Sequence, residues 1–242
     1  MTTVDILAIG VHPDDIELCC TGTLLGEIAQ GRTVGLLDLT RGELGTNGDP
    51  ETRIRESLKA KDIIGAQWRI NLGMRDGFFQ INEDHILPIA AVIRQARPKI
   101  ILCNVPSDRH PDHGRAAQLI YESAFYSGLS KIILKDELGN NLERWRPQVI
   151  LNFIQDHYHE PDVVYDITPY FTKKMEAVAA YASQFSPVAG RELTHTPISD
   201  DNFWSFIDAR AREMGRKIQC KYGEGFIARN PLHISSLSHL IQ

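Results

Sequence analysis

The strongest constraint on the fold is the regular alternation of short apolar runs with longer helical segments. Runs typical of buried strands cover residues 4–11, 34–39, 68–72 and 99–104, and helices are predicted at 15–30, 51–64, 85–96 and 112–126. Such alternation implies right-handed crossovers between parallel strands. Further strands at 148–153 and 163–166, and helices at 169–182 and 201–215, follow. The sequence therefore predicts an α/β fold with a Rossmann-like, doubly wound, mostly parallel sheet.

Length and composition favour an ordinary globular protein. The 242 residues are enough for one α/β domain, and no Ser/Gly/Pro-rich linker divides them, so we expect a single domain over 1–242. The net charge of -5 argues against a general nucleic-acid binder, which usually needs a basic face. No apolar run approaches the roughly 18–20 residues that span a bilayer, so we expect no membrane partner.

The cysteines and the N-terminal residues predict a cytoplasmic location. Four cysteines follow neither a CxxC pattern nor the spacing of a disulfide framework, which favours reduced, structural thiols. The segment MTTVDILAIGVHPDD has no basic region before its apolar run, so we expect no secretory signal.

Two polar loops, predicted to follow the first and fourth strands, carry the unusual chemistry. They are His12-Pro13-Asp14-Asp15 and Arg109-His110-Pro111-Asp112-His113. In open α/β sheets, sites form at the carboxyl ends of the strands. Because the first and fourth strands are commonly neighbours in a doubly wound sheet, we expect both loops to face one crevice.

These residue types suit a catalytic metal site. Imidazole and carboxylate groups are good ligands for zinc, and catalytic zinc sites use three protein ligands and leave one position open. The two loops hold more candidate groups than three ligands require. A spare carboxylate can accept a proton from water, and a spare imidazole can stabilise an oxyanion, so the pattern predicts a metal-assisted hydrolase.

Other readings of the loops are weaker. A single His-Pro-Asp turn is often only a helix cap, but two such motifs after two strands are harder to explain in that way. Nucleotide binding is disfavoured because the first loop lacks a glycine fingerprint. The glycines Gly42, Gly45 and Gly48 do not follow the GxGxxG spacing.

The two motifs resemble those of the LmbE/PIG-L family of zinc-dependent N-acetyl-sugar deacetylases, and the resemblance extends over nearly the whole chain. Within the family the sequence is most similar to the bacillithiol-pathway subgroup, which removes acetate from N-acetylglucosaminyl-malate. The segments that carry this similarity are DLTRGELGTNG (38–48), NLGMRDGF (71–78), SDRHPDHG (107–114), KKMEAVAAYASQF (173–185) and YGEGF (222–226). The chain departs from the wider family at Ile16, where Glu is common, and Glu17 follows it.

The resemblance implies a role for most positions of the two motifs. The implied ligands of Zn²⁺ are His12, Asp15 and His113. Asp14 would be the general base that takes a proton from water and later delivers it to the leaving amine. His110, in its protonated form, would stabilise the oxyanion, and Asp112 would orient His110.

The implied substrate is a small GlcNAc conjugate, GlcNAc-malate in the first place. Arg53 and Arg109 match positions that bind the malate carboxylates, and arginine is well suited to bind a dianion. The alternatives are another N-acetyl amino sugar of the chitobiose type, a mycothiol-like conjugate amide, or a metal-binding or nucleotide-binding module without hydrolytic activity. The presence of both Asp14 and His110 argues against the last of these.

The sequence does not determine the metal, the number of subunits or the roles of four further residues. Fe²⁺, Mn²⁺ or Co²⁺ could occupy the same ligands as zinc. The resemblance implies a homo-oligomer, with a hexamer as one option. The sequence assigns no role to Arg41, Arg75, His157 or His159.

Overall fold

The computed structural model describes residues 1–185, 194, 196, 199 and 202–240, the side chains of 239 and 240 excepted. Within these residues the strands are β1 (Ile6–Gly10), β2 (Val34–Thr40), β3 (Trp68–Met74), β4 (Ile100–Cys103), β5 (Val149–Phe153), β6 (Val163–Asp166) and β7 (Gly223–Ala228). The helices are α1 (Asp15–Cys19), α2 (Thr21–Ala29), α3 (Pro50–Ile64), α4 (Glu83–Ala96), α5 (Pro111–Ser127), α6 (Phe171–Ala179), α7 (Ala182–Phe185) and α8 (Phe203–Lys217). Among them, no helix combines the length and the apolar composition that crossing a membrane requires.

The strands form a mixed, mostly parallel sheet in the order β3-β2-β1-β4-β5-β7-β6. β1 pairs in parallel with β2 on one side and with β4 on the other. β7 lies between β5 and β6 and is antiparallel to both. The strand order reverses between β1 and β4, which confirms the predicted doubly wound sheet. A crevice opens at the carboxyl ends of the strands at such a reversal.

Alternate residues of the central strand pack on opposite faces of the sheet. Leu7 and Ile9 belong to a core cluster with side chains of α4 and α5. Ile6 and Ala8 belong to a second cluster with side chains of α1, α2, α3 and α6. Because both faces of the sheet are covered by helices, the strands read as near-continuous apolar runs.

The helix predicted over 15–30 is wrong, because the chain breaks at Cys20 into α1 and α2. Cys20 has φ -139° and ψ 7°, outside the helical range. The new helix start is capped by Glu224 of β7, whose carboxylate accepts hydrogen bonds from the backbone N–H of Gly22 (3.0 Å) and of Thr23 (2.7 Å). This cap comes from a residue about two hundred positions away, so no local pattern could indicate it.

The C-terminal part differs most from the prediction. β7 was not predicted, because its sequence GEGFIA contains two glycines, which weaken strand propensity. The helix predicted over 169–182 is replaced by a 3-10 turn at Thr168–Tyr170, α6 and the short α7. The helix predicted over 201–215 corresponds to α8, and residue 201 lies outside the described residues.

Candidate metal centre

The first motif is held in an unusual backbone conformation directly after β1. Asp14 precedes α1 with φ 129° and ψ -24°, which L side chains rarely adopt. Such a conformation costs about 1–3 kcal/mol and persists only where the surroundings impose it. A Cβ at Gly10 would lie 3.1 Å from the Cβ of Asp15, so glycine at the end of β1 lets α1 begin close to the strand. The strain indicates a functional role for this turn.

The second motif begins α5 directly after the loop that follows β4. His110 is the N-cap residue, and Pro111 occupies the first turn, where its missing N–H costs nothing. Asp112 and His113 are buried in the same turn. Because β1 and β4 are paired, the two motifs meet at the strand-order reversal as the sequence predicts.

The structure brings the three expected ligands together. The Nδ1 atom of His12 lies 3.8 Å from Asp15 Oδ2, and the Nε2 atom of His113 lies 3.4 Å from Asp15 Oδ1. The His12 and His113 ring centroids are 5.7 Å apart. All three side chains are buried. The carboxylate of Asp15 is thus placed between two imidazoles, an arrangement that suits a metal ion.

A carboxylate hydrogen-bonds to one ring nitrogen of His12 and another to one ring nitrogen of His113. The second nitrogen of each ring is left for a metal. Asp108 Oδ2 accepts a hydrogen bond from Nδ1 of His113 at 2.5 Å, so Nε2 faces Asp15 and the amide of Gln155, each at 3.4 Å. Asp76 Oδ1 accepts from Nε2 of His12 at 3.0 Å, so Nδ1 is free on that side. Carboxylate–histidine pairs of this kind orient metal ligands in proteins. The donor set therefore fits a zinc-like ion.

The expected set of His12, Asp15 and His113 does not bring one donor atom from each residue within 4.8 Å of the others, whereas two different groups of described side chains do. They are His12, His110 and His113, and His12, Asp76 and Asp112. We favour the ligand set that includes Asp15, because its carboxylate lies within 4 Å of both His12 and His113. The described residues contain no further groups of this kind.

Two amides that the sequence did not single out hold Asp15 in place. The Nδ2 atom of Asn104 donates to Asp15 Oδ2 at 3.0 Å, and Nε2 of Gln155 donates to Asp15 Oδ1 at 3.1 Å. Asn104 directly follows β4, and Gln155 lies just after β5. Asn104 also accepts from Val11 N at 3.0 Å, which ties it to the end of β1.

The electrostatics of the metal-free cluster follow from these contacts. Burial opposes a charge on His113, but Asp15 and Asp108 raise its pKa to about 9. Burial likewise opposes a charge on His12, but Asp112 and Asp76 raise its pKa to about 10. Burial also opposes ionisation of Asp15, yet His113 and His12 hold its pKa well below the usual range.

Asp14 is buried beside this cluster and pairs with Arg53. The Nη2 atom of Arg53 donates to Asp14 Oδ2 at 3.0 Å and to the carbonyl of Pro13 at 2.6 Å. Burial raises the pKa of Asp14 to about 7, while the charge of Arg53 opposes that rise. Arg53 is itself buried, and its Nη1 donates to the carbonyl of Gly42. The guanidinium of Arg53 therefore binds Asp14 and two backbone carbonyls of this chain.

His110 faces the same cavity, with a different proton arrangement from the one expected. Burial and the charges of His12 and His113 lower its pKa, which opposes the protonated form. Its Nδ1 accepts a hydrogen bond from the backbone N–H of Asp112 at 3.3 Å, so the proton of the neutral ring is on Nε2.

Asp112 does not contact the His110 ring through its carboxylate in the described part of the chain. The carboxylate instead accepts hydrogen bonds from Gly77 N and from Nη1 of Arg115, both at 2.9 Å, and lies 3.6 Å from Nε2 of His12. Among the described contacts, the backbone N–H of Asp112 is the group that hydrogen-bonds to His110.

Most of the expected site residues line one cavity of about 420 Å³. They are His12, Asp14, Asp15, Arg53, Arg109, His110 and His113. Asp112 is not part of the lining. Arg109 is exposed at this cavity and pairs with Asp156. Arg41, Arg75, His157 and His159 do not line it among the described residues. Arg75 packs on Phe78, and His159 contacts the carbonyl of Ser107.

Comparisons with known proteins identify the family of this chain. The family model PIG-L, described as GlcNAc-PI de-N-acetylase, matches residues 7–125, which contain both motifs. A solved structure of a conserved protein from Thermus thermophilus is 32% identical, covers 96% of this chain and 98% of that chain, and has a TM-score of 0.84.

Two curated relatives carry deacetylase names. Diacetylchitobiose deacetylase of Thermococcus kodakarensis is 26% identical over 249 residues, which are 98% of this chain and 88% of the relative. Probable N-acetyl-alpha-D-glucosaminyl L-malate deacetylase 2 of Bacillus anthracis is 27% identical over 198 residues, 75% of this chain and 81% of the relative. The family match over both motifs and the near full-length similarity to the Thermus protein show that this chain belongs to the PIG-L (LmbE) family of deacetylases.

Proposed function

We propose that this protein is a zinc-dependent hydrolase that removes the N-acetyl group from an N-acetylglucosamine conjugate. The observation that carries the proposal is the position of Asp14. It is a buried carboxylate in the same cavity as the cluster of His12, Asp15 and His113, and Arg53 holds one of its oxygens. A carboxylate within reach of the attacking water can act as its general base.

His12, Asp15 and His113 would hold the zinc ion. Zinc supplies Lewis acidity there: it polarises an amide carbonyl and makes water easier to deprotonate. Asp76 and Asp108 fix the orientation of the two rings, and the amides of Asn104 and Gln155 fix Asp15. These hydrogen bonds would orient the three side chains for metal binding.

Asp14 and His110 would move the proton and stabilise the charge. Asp14 takes a proton from the attacking water and passes it to the amide nitrogen as the C–N bond breaks. Among the described contacts, Arg53 occupies only Oδ2 of Asp14, which leaves Oδ1 for this exchange. Nε2–H of His110 donates to the carbonyl oxygen as negative charge develops on it. The products are acetate and a free glucosamine amine.

GlcNAc-malate is the first substrate that we propose. The segments that resemble the bacillithiol subgroup support it, as does Arg109 at the cavity, where a carboxylate could displace Asp156. Arg53 supports it less, because its guanidinium is buried and bound to Asp14. A chitobiose-type substrate is the second candidate, because the relative with that name aligns with 98% of this chain.

A substrate panel tests the proposal. The zinc-loaded protein is incubated with GlcNAc-malate, GlcNAc and N,N'-diacetylchitobiose, and the release of acetate and of free amine is measured. We expect the highest kcat/KM for GlcNAc-malate. A preference for diacetylchitobiose would favour the second candidate, and no acetate from any of the three would overturn the proposed function.

The arginine expectation has its own test. Arg109→Ala should raise KM for GlcNAc-malate far more than for GlcNAc. Arg75→Ala is the matched control, because Arg75 packs on Phe78 and does not line the cavity. Equal effects of Arg109→Ala on both substrates would remove Arg109 from malate binding.

The homo-oligomer and the cytoplasmic location implied by the sequence stay predictions. Light scattering of the purified protein would measure the first, for which a hexamer is one option. Fractionation of the source cells would measure the second.

A further inference from the structure

The cavity that contains the candidate metal ligands also has a wall formed by α8. The residues of α8 that line it are spaced three or four apart, so they share one face of the helix. They are Phe203, Phe206, Ile207, Arg210, Ala211 and Met214. Five of these six side chains are apolar, and Arg210 is the one charge among them. β7 packs closely against this wall, because a Cβ at Gly225 would lie 2.8 Å from the sulfur of Met214.

Contacts with Phe206 and Ile154 orient the Arg210 side chain, but most of its N–H groups make no hydrogen bond to the described residues. Its guanidinium lies 4.6 Å from the ring centroid of Phe206, and Nη1 donates to the carbonyl of Ile154 at 3.4 Å. A guanidinium has five N–H donors in a planar fork, which matches a carboxylate. Stacking on an aromatic ring fixes the plane of this fork.

The other cations that line the cavity already have carboxylate partners. The pairs are Arg53 with Asp14, Arg109 with Asp156, and Lys174 with Glu224. For Arg210, the described part of the chain contributes no carboxylate within 4 Å. An anion from a ligand can therefore bind Arg210 without displacing any acidic side chain among the described residues.

The charge of Arg210 acts inside the cavity and near the first motif. Cys19 lines the same cavity at the end of α1, four residues after Asp15. Burial raises the pKa of the Cys19 thiol, and Arg210 is the strongest influence that opposes this rise. Arg210, Cys19 and the candidate metal ligands therefore line one continuous cavity.

We propose that Arg210 is a specificity-determining residue that binds an anionic group on the part of the substrate remote from the acetamide. This inference rests on the proposed function, because it assigns the aglycone of the same N-acetylglucosamine conjugate. Arg210 is half-buried beside the buried apolar side chains of Ile207 and Met214, so an ion pair with a bound carboxylate is less screened than one on an open surface. The sequence-based expectation assigned this contact to Arg53 and Arg109, and the structure adds a cation from a different element.

Kinetics with a charged and a neutral substrate test this assignment. The ratio of kcat/KM for GlcNAc-malate to kcat/KM for methyl α-GlcNAc is measured in the zinc-loaded wild type, in Arg210→Met and in Arg210→Lys. We expect the ratio to fall about tenfold to hundredfold in Arg210→Met, mainly through KM for GlcNAc-malate. Arg210→Lys keeps the charge but loses the fork, so its ratio should be intermediate.

Arg216→Met is the matched control, because Arg216 is an exposed residue in the last turn of α8 and does not line the cavity. Its ratio should equal that of the wild type. Binding of free malate, measured by calorimetry, gives a readout without turnover: Kd should rise about tenfold in Arg210→Met and stay unchanged in Arg216→Met.

The two proposals fail in different ways. An unchanged ratio and an unchanged Kd for malate in Arg210→Met would overturn the role of Arg210 and leave the deacetylase proposal intact. No acetate release by the wild type from either substrate would overturn the deacetylase proposal, and the malate Kd values would then decide on Arg210 alone.

Discussion

Asp108→Asn should weaken metal binding although Asp108 is not a ligand. Its carboxylate accepts from Nδ1 of His113 on one oxygen and from the backbone N–H of His157 (2.7 Å) on the other. An asparagine has only one acceptor oxygen. If that oxygen faces the backbone, the NH₂ group faces His113 and favours the tautomer protonated on Nε2, which cannot bind a metal. If it faces His113, the backbone N–H of His157 loses its carboxylate acceptor.

The expected size of the effect is a tenfold to hundredfold loss of metal affinity, about 1.4–2.8 kcal/mol. The assay is a competition titration of zinc between the protein and a chromogenic chelator. Asp156→Asn is the matched control, because Asp156 pairs with Arg109 and not with a histidine. A zinc affinity of Asp108→Asn within twofold of the wild type would refute this reasoning.

Three further predictions concern the surroundings of the site. Gly42→Ala should lower kcat/KM severalfold, because a Cβ there would overlap Nη1 of Arg53. Gly65→Ala, which has a similar positive φ but open space, should cost only about 1 kcal/mol of stability and leave activity unchanged; equal kinetics of the two variants would contradict this. Arg69→Met should lower the free energy of unfolding in urea by about 3–5 kcal/mol, because it leaves two buried carboxylates without their cation, and a loss below about 1 kcal/mol would argue against that ion-pair network. In chelator-treated protein, the raised pKa values of His12 and His113 contribute stability that is fully present below their unfolded value of about 6.5. This contribution should be lost as the pH rises through about 9 to 10, so a free energy of unfolding that increases over this range would contradict the assignment.

The sequence predicts the fold and the meeting of the two motifs. Periodicity alone indicates β1 to β4 and the helices between them, and the doubly wound pattern makes β1 and β4 neighbours. Since the two motifs lie in the connections that leave the carboxyl ends of these strands, the topology brings Asp15 and His113 to the same edge of the sheet. Sites in open α/β sheets form at the carboxyl ends of the strands, and this rule could also have indicated Asn104 and Gln155, which follow β4 and β5.

The supporting carboxylates could not be found in this way. Asp76 is 64 residues from His12, and Asp76 and Asp108 both lie in loops whose paths no local pattern determines. In the sequence they look like any solvated acidic residue. The protonation of His110 was also beyond the sequence, because it depends on burial and on two neighbouring imidazoles that come from three-dimensional packing.

For Arg53, the sequence predicts the location correctly but does not reveal which groups its guanidinium binds. The sequence locates it near the carboxyl edge of the sheet, and the structure confirms that it lines the cavity. Its guanidinium is buried against Asp14 and the carbonyls of Pro13 and Gly42. The carboxylate that it meets in the structure is therefore one of the protein's own.

The most direct test of the account is Asp14→Asn, with activity and metal content measured on the same sample. Removing a general base typically costs about 10²- to 10⁴-fold in rate. We predict that Asp14→Asn retains about one zinc ion per chain and loses at least a hundredfold in kcat for acetate release. Turnover close to that of the wild type with zinc bound would contradict the assignment of Asp14 as the base and, with it, the central claim.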